Sequence, residues 1–305
     1  LSISIHSFLW NGYGPDLQGP VHFIVFNGVC DKMLNASFRP FLKWPGGKFL
    51  LRKEIHGLLP EGKRLIEPFV GAGAIFLNTD YKNYLLSDIN ADLISLYEIL
   101  KEQGASFIED ASLFFVNKNN HEKTYYEYRK EFNTTKDPYL KALLFLYLNR
   151  HGYNGLVRYN QQGLYNVPFG RYKKPYFPKE ELYFFYEKSQ RAVFICQDFR
   201  VTLQQAKKND VVYCDPPYVP LSESSSFTKY SGKTFTLGDQ EALAHLAKQL
   251  RHRGVHTLIS NHHTPFTQRL YAGAQMHTLK VARLISCKIN GRRPVKEVLA
   301  FFKKS

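Results

Sequence analysis

The most constraining stretch of this sequence is an apolar run that ends in an acid and two prolines, Val211-Val212-Tyr213-Cys214 followed by Asp215-Pro216-Pro217-Tyr218. Such a run predicts a strand buried on both faces, and α/β sheets bind ligands just outside the carboxyl ends of such strands. Because proline fixes φ, the pair stiffens the loop and can turn the Pro216 carbonyl inward beside the Asp215 carboxylate. Two acceptors so placed suit a planar amine, such as that of adenine, whose lone pair is delocalised into its ring. Accepting from both N–H bonds helps to localise that pair for attack. Tyr218 supplies a face for the ring, a contact of about 1–3 kcal/mol. Asp215, Pro216 and Tyr218 are therefore the catalytic candidates. An ordinary proline turn after an acidic strand end is the plainer alternative, and the preceding strand and the tyrosine disfavour it.

A second segment, Glu67-Pro68-Phe69-Val70-Gly71-Ala72-Gly73, again runs from a short strand into a glycine turn that opens a helix. Gly71 and Gly73 let backbone approach a bound nucleoside, and Asp88, at the end of the next strand, is placed to accept from ribose hydroxyls. Phe76 stands where a dinucleotide fingerprint needs its third glycine, which disfavours that class. A third segment, Phe41-Leu42-Lys43-Trp44-Pro45-Gly46-Gly47-Lys48, joins rings, cations and a glycine pair, and by itself it could be an ordinary turn.

The periodicity predicts strands over residues 64–70 and 84–89 and a helix over 91–101, the opening of a doubly wound sheet. Residues 106–150 are expected to be mostly helical, with Asp137-Pro138 starting an apolar helix. A hairpin or irregular loop follows over 158–169, turning at Gln162-Gly163. The alternation resumes with strands at 192–199 and 211–214, a helix at 237–253 and a strand at 256–260. Two final strands, 278–286 and 297–302, are expected to pair through Asn290-Gly291. The division expected is an extension over 1–32 with a natural start at Met33, a catalytic domain over 33–105 and 191–305, and a target-recognition insert over 106–190.

Charge and aromatic content point to the partner. Forty-one Lys and Arg against 26 Asp and Glu give a net charge of +15, which favours a polyanion. Cations, amides and rings concentrate in Arg150-His151-Gly152-Tyr153-Asn154-Gly155-Leu156-Val157-Arg158-Tyr159-Asn160 and again over residues 166–174, which include Pro168, Tyr172 and Lys173. Charges for phosphates and rings for bases make these the nucleic-acid candidates. Cys30, Cys196, Cys214 and Cys287 are scattered without metal-ligand spacing, so buried thiols in a reducing cytoplasm are expected and no metal. No apolar stretch reaches the roughly 18 residues of a membrane span.

Together the three motif segments resemble the Dam-type DNA adenine methyltransferases that act on GATC, with the segment order of the alpha group, and the resemblance runs from Pro40 to Phe302. It implies a Rossmann-like α/β fold dependent on S-adenosylmethionine, with an inserted helical recognition domain and β-hairpin. It implies cofactor contacts at Trp44, Lys48, Phe69, Asp88 and Asp215. Arg158 would read one guanine and Lys43 the other, a bidentate contact being worth about 1–3 kcal/mol. Leu156 and Pro168 would touch base edges, and Tyr153 and Asn154 would wedge beside an extruded adenine. Arg129, Asn160 and Lys173 would hold phosphates. Residues 219–235 would close over the flipped base. The sequence departs from the family at Pro45, where a small residue is usual. A monomer is expected. The competing readings are an amino-methyltransferase of RNA adenine or protein glutamine, and a non-catalytic DNA-binding protein.

Overall fold

The computed structural model describes residues 37–220, 235–281 and 295–304. The chain divides into Leu1–Ser37 and one compact unit, Phe38–Ser305. The expected extension and the start at Met33 lie outside the described residues.

Among the described residues the unit carries a sheet of seven strands in the order β3-β2-β1-β4-β5-β7-β6. They are β1 (Arg64–Glu67), β2 (Asn83–Asp88), β3 (Ala192–Cys196), β4 (Asp210–Cys214), β5 (His256–His262), β6 (Gln275–Val281) and β7 (Val295–Phe302). The first five are parallel, while β7 runs antiparallel to both β5 and β6. From β1 the chain winds outward through β2 to β3, then returns to place β4 on the other side of β1. That reversal opens a crevice at the carboxyl ends of β1 and β4, the place where such sheets take ligands. β4 is buried along its whole length, as its apolar run requires.

The helices are α1 (Arg52–Leu58), α2 (Ala74–Leu77), α3 (Ala91–Leu113), α4 (Glu122–Thr134), α5 (Pro138–His151), α6 (Lys179–Ser189), α7 (Phe199–Gln204), α8 (Leu237–His252) and α9 (Pro265–Leu270). The Asn90 side chain caps α3 by accepting from the Leu93 amide at 3.1 Å. The same helix breaks at Gly104, whose φ of 45° is open to glycine and whose Cα lies against the Tyr186 ring. Its first part packs on the sheet, and its second turns toward α5 in the helical insert between β2 and β3. Asp137 caps α5 by accepting from the Tyr139 amide at 2.9 Å, with Pro138 in the first turn. Every residue of α5 from Ala142 to His151 is buried, so this helix is the insert's core.

Most element bounds differ from the expected ones by a few residues, and two differences have clear causes. Strand β1 ends at Glu67 because a turn at Pro68-Phe69 follows it directly, and proline has no amide to continue the ladder. The expected strand over 192–199 stops at Cys196 because Asp198 caps α7, its side chain accepting from the Arg200 amide at 2.9 Å. The final pair begins at Gln275 and Val295, and the Asn290-Gly291 turn lies outside the described residues. Cys214 is buried as expected, whereas Cys196 is exposed because β3 is an edge strand.

Candidate active site

The loop after β4 is held by two buried side-chain amides. Gln240 donates to the Pro217 carbonyl at 2.7 Å, and Asn261 accepts from the Val219 amide at 3.1 Å while donating to Gln240 at 3.0 Å and to the Tyr271 hydroxyl at 2.9 Å. Both amides are buried. Among the described residues nothing donates to the Pro216 carbonyl.

The two oxygens of Asp215 are not equivalent. Ser260 donates to Oδ1 at 2.8 Å, and the Lys48 ammonium pairs with the same oxygen at 3.0 Å. Both contacts fall on Oδ1, and among the described residues no side chain donates to Oδ2, which keeps its acceptor capacity. Because the Ser260 hydrogen goes to Asp215, the Tyr213 hydroxyl 3.1 Å away is the donor to Ser260. Ser260 is thus a buried positioning residue that fixes the carboxylate's rotation. In the Ser260→Ala variant we expect kcat to fall about tenfold with KM for duplex little changed, since one hydrogen bond to a charged group is worth about 1.5–3 kcal/mol. A matching rise in KM would instead mark a substrate contact.

Tyr218 is pinned at three points. Its hydroxyl donates to Glu297 Oε2 at 3.0 Å, His262 packs edge-on with centroids 4.9 Å apart, and the Lys48 ammonium lies 4.5 Å from its centroid. Burial, then the charges of Asp215 and Glu297, push its phenol well above the usual range, so it stays a neutral donor. Lys48 also donates to the Gly46 carbonyl at 2.6 Å, joining the segment over residues 41–48 to this loop. Pro45 has a physical place there. Residues 44–47 form a turn closed by Gly47 N–H to Trp44 C=O at 3.1 Å, with Gly46 at φ 77°, the geometry of a type II turn that favours proline at its second position.

The glycine turn after β1 faces the same crevice. Gly71 has a φ of 47°, and a Cβ there would lie 2.9 Å from the Trp44 indole nitrogen, so the two segments meet at closest approach. Asp88 accepts from the Gly71 amide at 3.1 Å through Oδ2 and from the Asn90 amide at 3.0 Å through Oδ1. Burial raises its carboxyl above the ordinary value against the pull of those amides. Phe69 stacks on Phe199 with centroids 5.4 Å apart, and Phe235 meets its edge at 5.7 Å.

Glu67 is a residue of this site to which no role is assigned in the sequence. It is 2% exposed at the end of β1, and its Oε1 is buried without a hydrogen-bond partner among the described residues. Burial first, then the Asp215 charge, push its carboxyl up to about 8. An acid raised in this way stabilises the fold fully below its unfolded value near 4.5, and loses that contribution as pH rises through about 8. For the protein without ligand we expect Glu67→Gln to melt like the parent at pH 5 and several degrees higher at pH 8.5. Equal melting temperatures at both pH values would refute the assignment. Ser260, Asn261, Gln240 and Glu297 also escape sequence analysis, because they come from strands and a helix that carry no motif.

The insert brings Lys43 to the recognition segment. Asn149, fully buried on α5, accepts from the Lys43 amide at 2.9 Å and donates to its carbonyl at 2.8 Å. The Lys43 ammonium lies 3.9 Å from the Tyr172 centroid, and burial, then Arg150, lower it to about 8. The hairpin is real but short. Tyr159 pairs with Tyr165, and the turn at Gln162-Gly163 closes with Gly163 N–H to Asn160 C=O at 3.0 Å. Arg158 is exposed and donates to Asn166 Oδ1 at 2.8 Å and to its carbonyl at 3.1 Å. Tyr153 and Asn154 are exposed at the hairpin base, Asn154 in the left-handed region at φ 53°, and the Tyr153 amide donates to the Pro168 carbonyl at 2.9 Å.

Not every candidate faces outward. Arg150 is 9% exposed and donates to the Tyr176 and Phe41 carbonyls, so it ties the loop to the body rather than offering its charge to solvent. Arg129 is half-buried and donates to the Val167 carbonyl at 2.9 Å. It lines a shallow cavity of about 350 Å³ with Asn160, Asn166 and Lys130. Leu156 is half-buried against the core, while Lys173 is exposed. Residues 221–234 of the expected closing segment lie outside the described residues. Among the described residues no cluster of three or more His, Cys, Asp or Glu could hold a metal, and no helix is long and apolar enough to cross a membrane.

The fold therefore brings the glycine turn and the Asp215-Pro216-Pro217-Tyr218 loop to one crevice, in a chain that also carries a loop rich in cations and rings. The family model for D12 class N6 adenine-specific DNA methyltransferases matches residues 44–285, a span that covers all three elements. The chain belongs to this family. Curated relatives named DNA adenine methylase are 54% identical in Serratia marcescens, over 87% of this chain and 98% of theirs. The corresponding figures are 53%, 87% and 96% in Vibrio cholerae, and 51%, 87% and 95% in Escherichia coli K12. Among solved structures the delta-N METTL16 MTase domain shares 9% identity at a TM-score of 0.37, covering 87% of this chain and 83% of that one, a likeness too loose to bear on function. The chain is a DNA adenine methyltransferase by family, so the RNA, glutamine and non-catalytic alternatives fall away. It uses a methyl donor.

Proposed function

We propose that the chain transfers a methyl group from S-adenosylmethionine to N6 of adenine in duplex GATC, after the base has left the helix. The observation that carries this reading is the one-sided Asp215 carboxylate, with Oδ1 held by Ser260 and Lys48, which leaves Oδ2 and the Pro216 carbonyl as unused acceptors among the described residues. Those acceptors would take the two N–H bonds of the amine and direct its lone pair at the methyl group. When bound, the donor supplies an electrophilic methyl on a sulfonium. The residues present fit it. Gly71 leaves no room for a Cβ against Trp44, Asp88 keeps acceptor capacity for ribose hydroxyls, Phe69 offers a ring, and Glu67 Oε1 has an unused lone pair.

Extruding a base costs a few kcal/mol, and Tyr153 and Asn154, exposed at the hairpin base, would fill the gap. Arg158 and Lys43 would read guanines, Leu156 and Pro168 would touch base edges, and Lys173, Asn160, Arg129 and Tyr172 would hold backbone. The GATC sequence rests on the likeness to the DNA adenine methylases. The protein is taken to act as a monomer in the cytoplasm, on the chromosome. Digestion of treated DNA with methylation-sensitive GATC endonucleases tests the claim, and equal labelling of a GATC-free duplex would reject it. With Arg158→Ala we expect discrimination at one guanine to relax by about tenfold or more, the value of a lost bidentate contact. Unchanged discrimination would remove Arg158 from the reading set.

A further inference from the structure

The crevice and hairpin do not account for all of the positive charge. At the opposite edge of the sheet, five exposed lysines stand on the loops at the amino ends of the strands. Lys63 precedes β1, Lys207 and Lys208 precede β4, and Lys303 and Lys304 follow the antiparallel β7 and so end at the same edge. Exposed Arg253, before β5, completes the row and is anchored to the Gln204 and Ala206 carbonyls.

These loops are physically joined. The Lys63 amide donates to the Asn209 carbonyl at 2.9 Å, the Lys208 side chain lies against Gly254, and the Lys304 amide donates to His256 Nδ1 at 3.3 Å. His256 is pushed below its usual value by burial and then by Lys304 and Lys303. None of the six cations is ion-paired with a described residue. Of the acids on these loops, Asp210 is buried and taken by Arg64 at 2.6 Å, which leaves Glu61 exposed.

Strands β1, β4, β5 and β7 are consecutive neighbours in the sheet, so the cations form a ridge across four strands. At about 4.8 Å per strand the ridge is about 15 Å long. That matches four or five phosphates of one DNA strand at about 3.4 Å each. The five-residue β4 separates this edge from Asp215 by about 17 Å, and the two edges face opposite ways. A straight duplex seated in the crevice does not reach the ridge.

We propose that this ridge binds a second segment of duplex DNA through its phosphates, without reading sequence, while the crevice engages the segment being methylated. The proposal rests on the chain's action on duplex DNA. Its consequence is transfer between segments, because the enzyme can hold a new segment before it leaves the old one.

The test uses the full chain and a variant with Lys63, Lys207, Lys208, Lys303 and Lys304 each changed to Gln. The crevice is first saturated with an unlabelled short GATC duplex, and a labelled GATC-free duplex is then titrated by anisotropy at several salt concentrations. The parent should bind the labelled duplex with a slope of log affinity against log salt of about −4, as expected for four or five phosphates. The variant should bind it at least tenfold more weakly, with single-turnover methylation of the short duplex within twofold of the parent. The proposal is overturned if the saturated parent takes up no second duplex, if the variant binds it equally well, or if methylation falls in step. Displacement of the labelled duplex by polyglutamate or structured RNA more readily than by unlabelled duplex would also overturn it. A parent that methylates no duplex at all would instead count against the functional reading.

Discussion

Replacing Asp215 with alanine is expected to lower methyl transfer by about 10³-fold or more while DNA binding changes only a few-fold. Losing one preorganised polar contact to a reacting group costs about 10²–10³ in rate. Here the loss compounds, because Lys48, with its side chain 8% exposed, would be left without its carboxylate 3.0 Å away. The Ser260 hydroxyl would lose its nearer acceptor as well, keeping only the Cys214 carbonyl at 3.3 Å. Asp215→Asn should fare little better, since one of its two terminal atoms becomes a donor where the amine needs an acceptor. Single-turnover methyl transfer measured beside duplex affinity decides the matter, and near-native turnover in either variant would refute the role of Asp215.

Gly155→Ala should be nearly as damaging, though it touches no reacting atom. Gly155 has a φ of 61°, and an added Cβ would lie 2.1 Å from the Lys43 Cβ and 2.6 Å from its Cδ. The clash cannot be relieved by Lys43, whose amide and carbonyl are both clamped by buried Asn149. The hairpin base or Lys43 must therefore shift, and we expect kcat/KM on GATC duplex to fall about 10²-fold, the scale of a misplacement of about 1 Å. Gly163→Ala is the control. Its φ is 76°, but a Cβ there meets nothing within 4 Å, so only the left-handed strain of about 1–2 kcal/mol remains. A Gly155→Ala enzyme as active and selective as Gly163→Ala would show that the Lys43 contact does not matter for recognition.

What the residues announce by themselves is local chemistry. The apolar run before Asp215 required a buried strand, the glycines before Ala74 required a left-handed turn, and Asp137-Pro138 required a helix start, because each depends on neighbours within a few positions. Those signals suffice for the sheet, the insert and the acceptor loop. Short elements such as α7 and α9 carried too few residues for a period to emerge. Arg150 shows the limit most clearly. In sequence it is one of several cations in a Tyr-rich loop, and its burial depends on carbonyls of Phe41 and Tyr176 that are brought to it only by packing.

The sequence alone determined that a planar amine would meet an acid and a proline loop at a strand end, beside a glycine turn and a basic, aromatic insert. Only the tertiary structure decided that Ser260 and Lys48 both hold Oδ1 of Asp215, that buried Asn149 clamps the Lys43 backbone, and that a second row of cations lines the far edge of the sheet. The reason is distance along the chain. Ser260 stands 45 residues from Asp215 and Asn149 stands 106 from Lys43, so the contacts that orient the chemistry exist only once the strands and helices are packed.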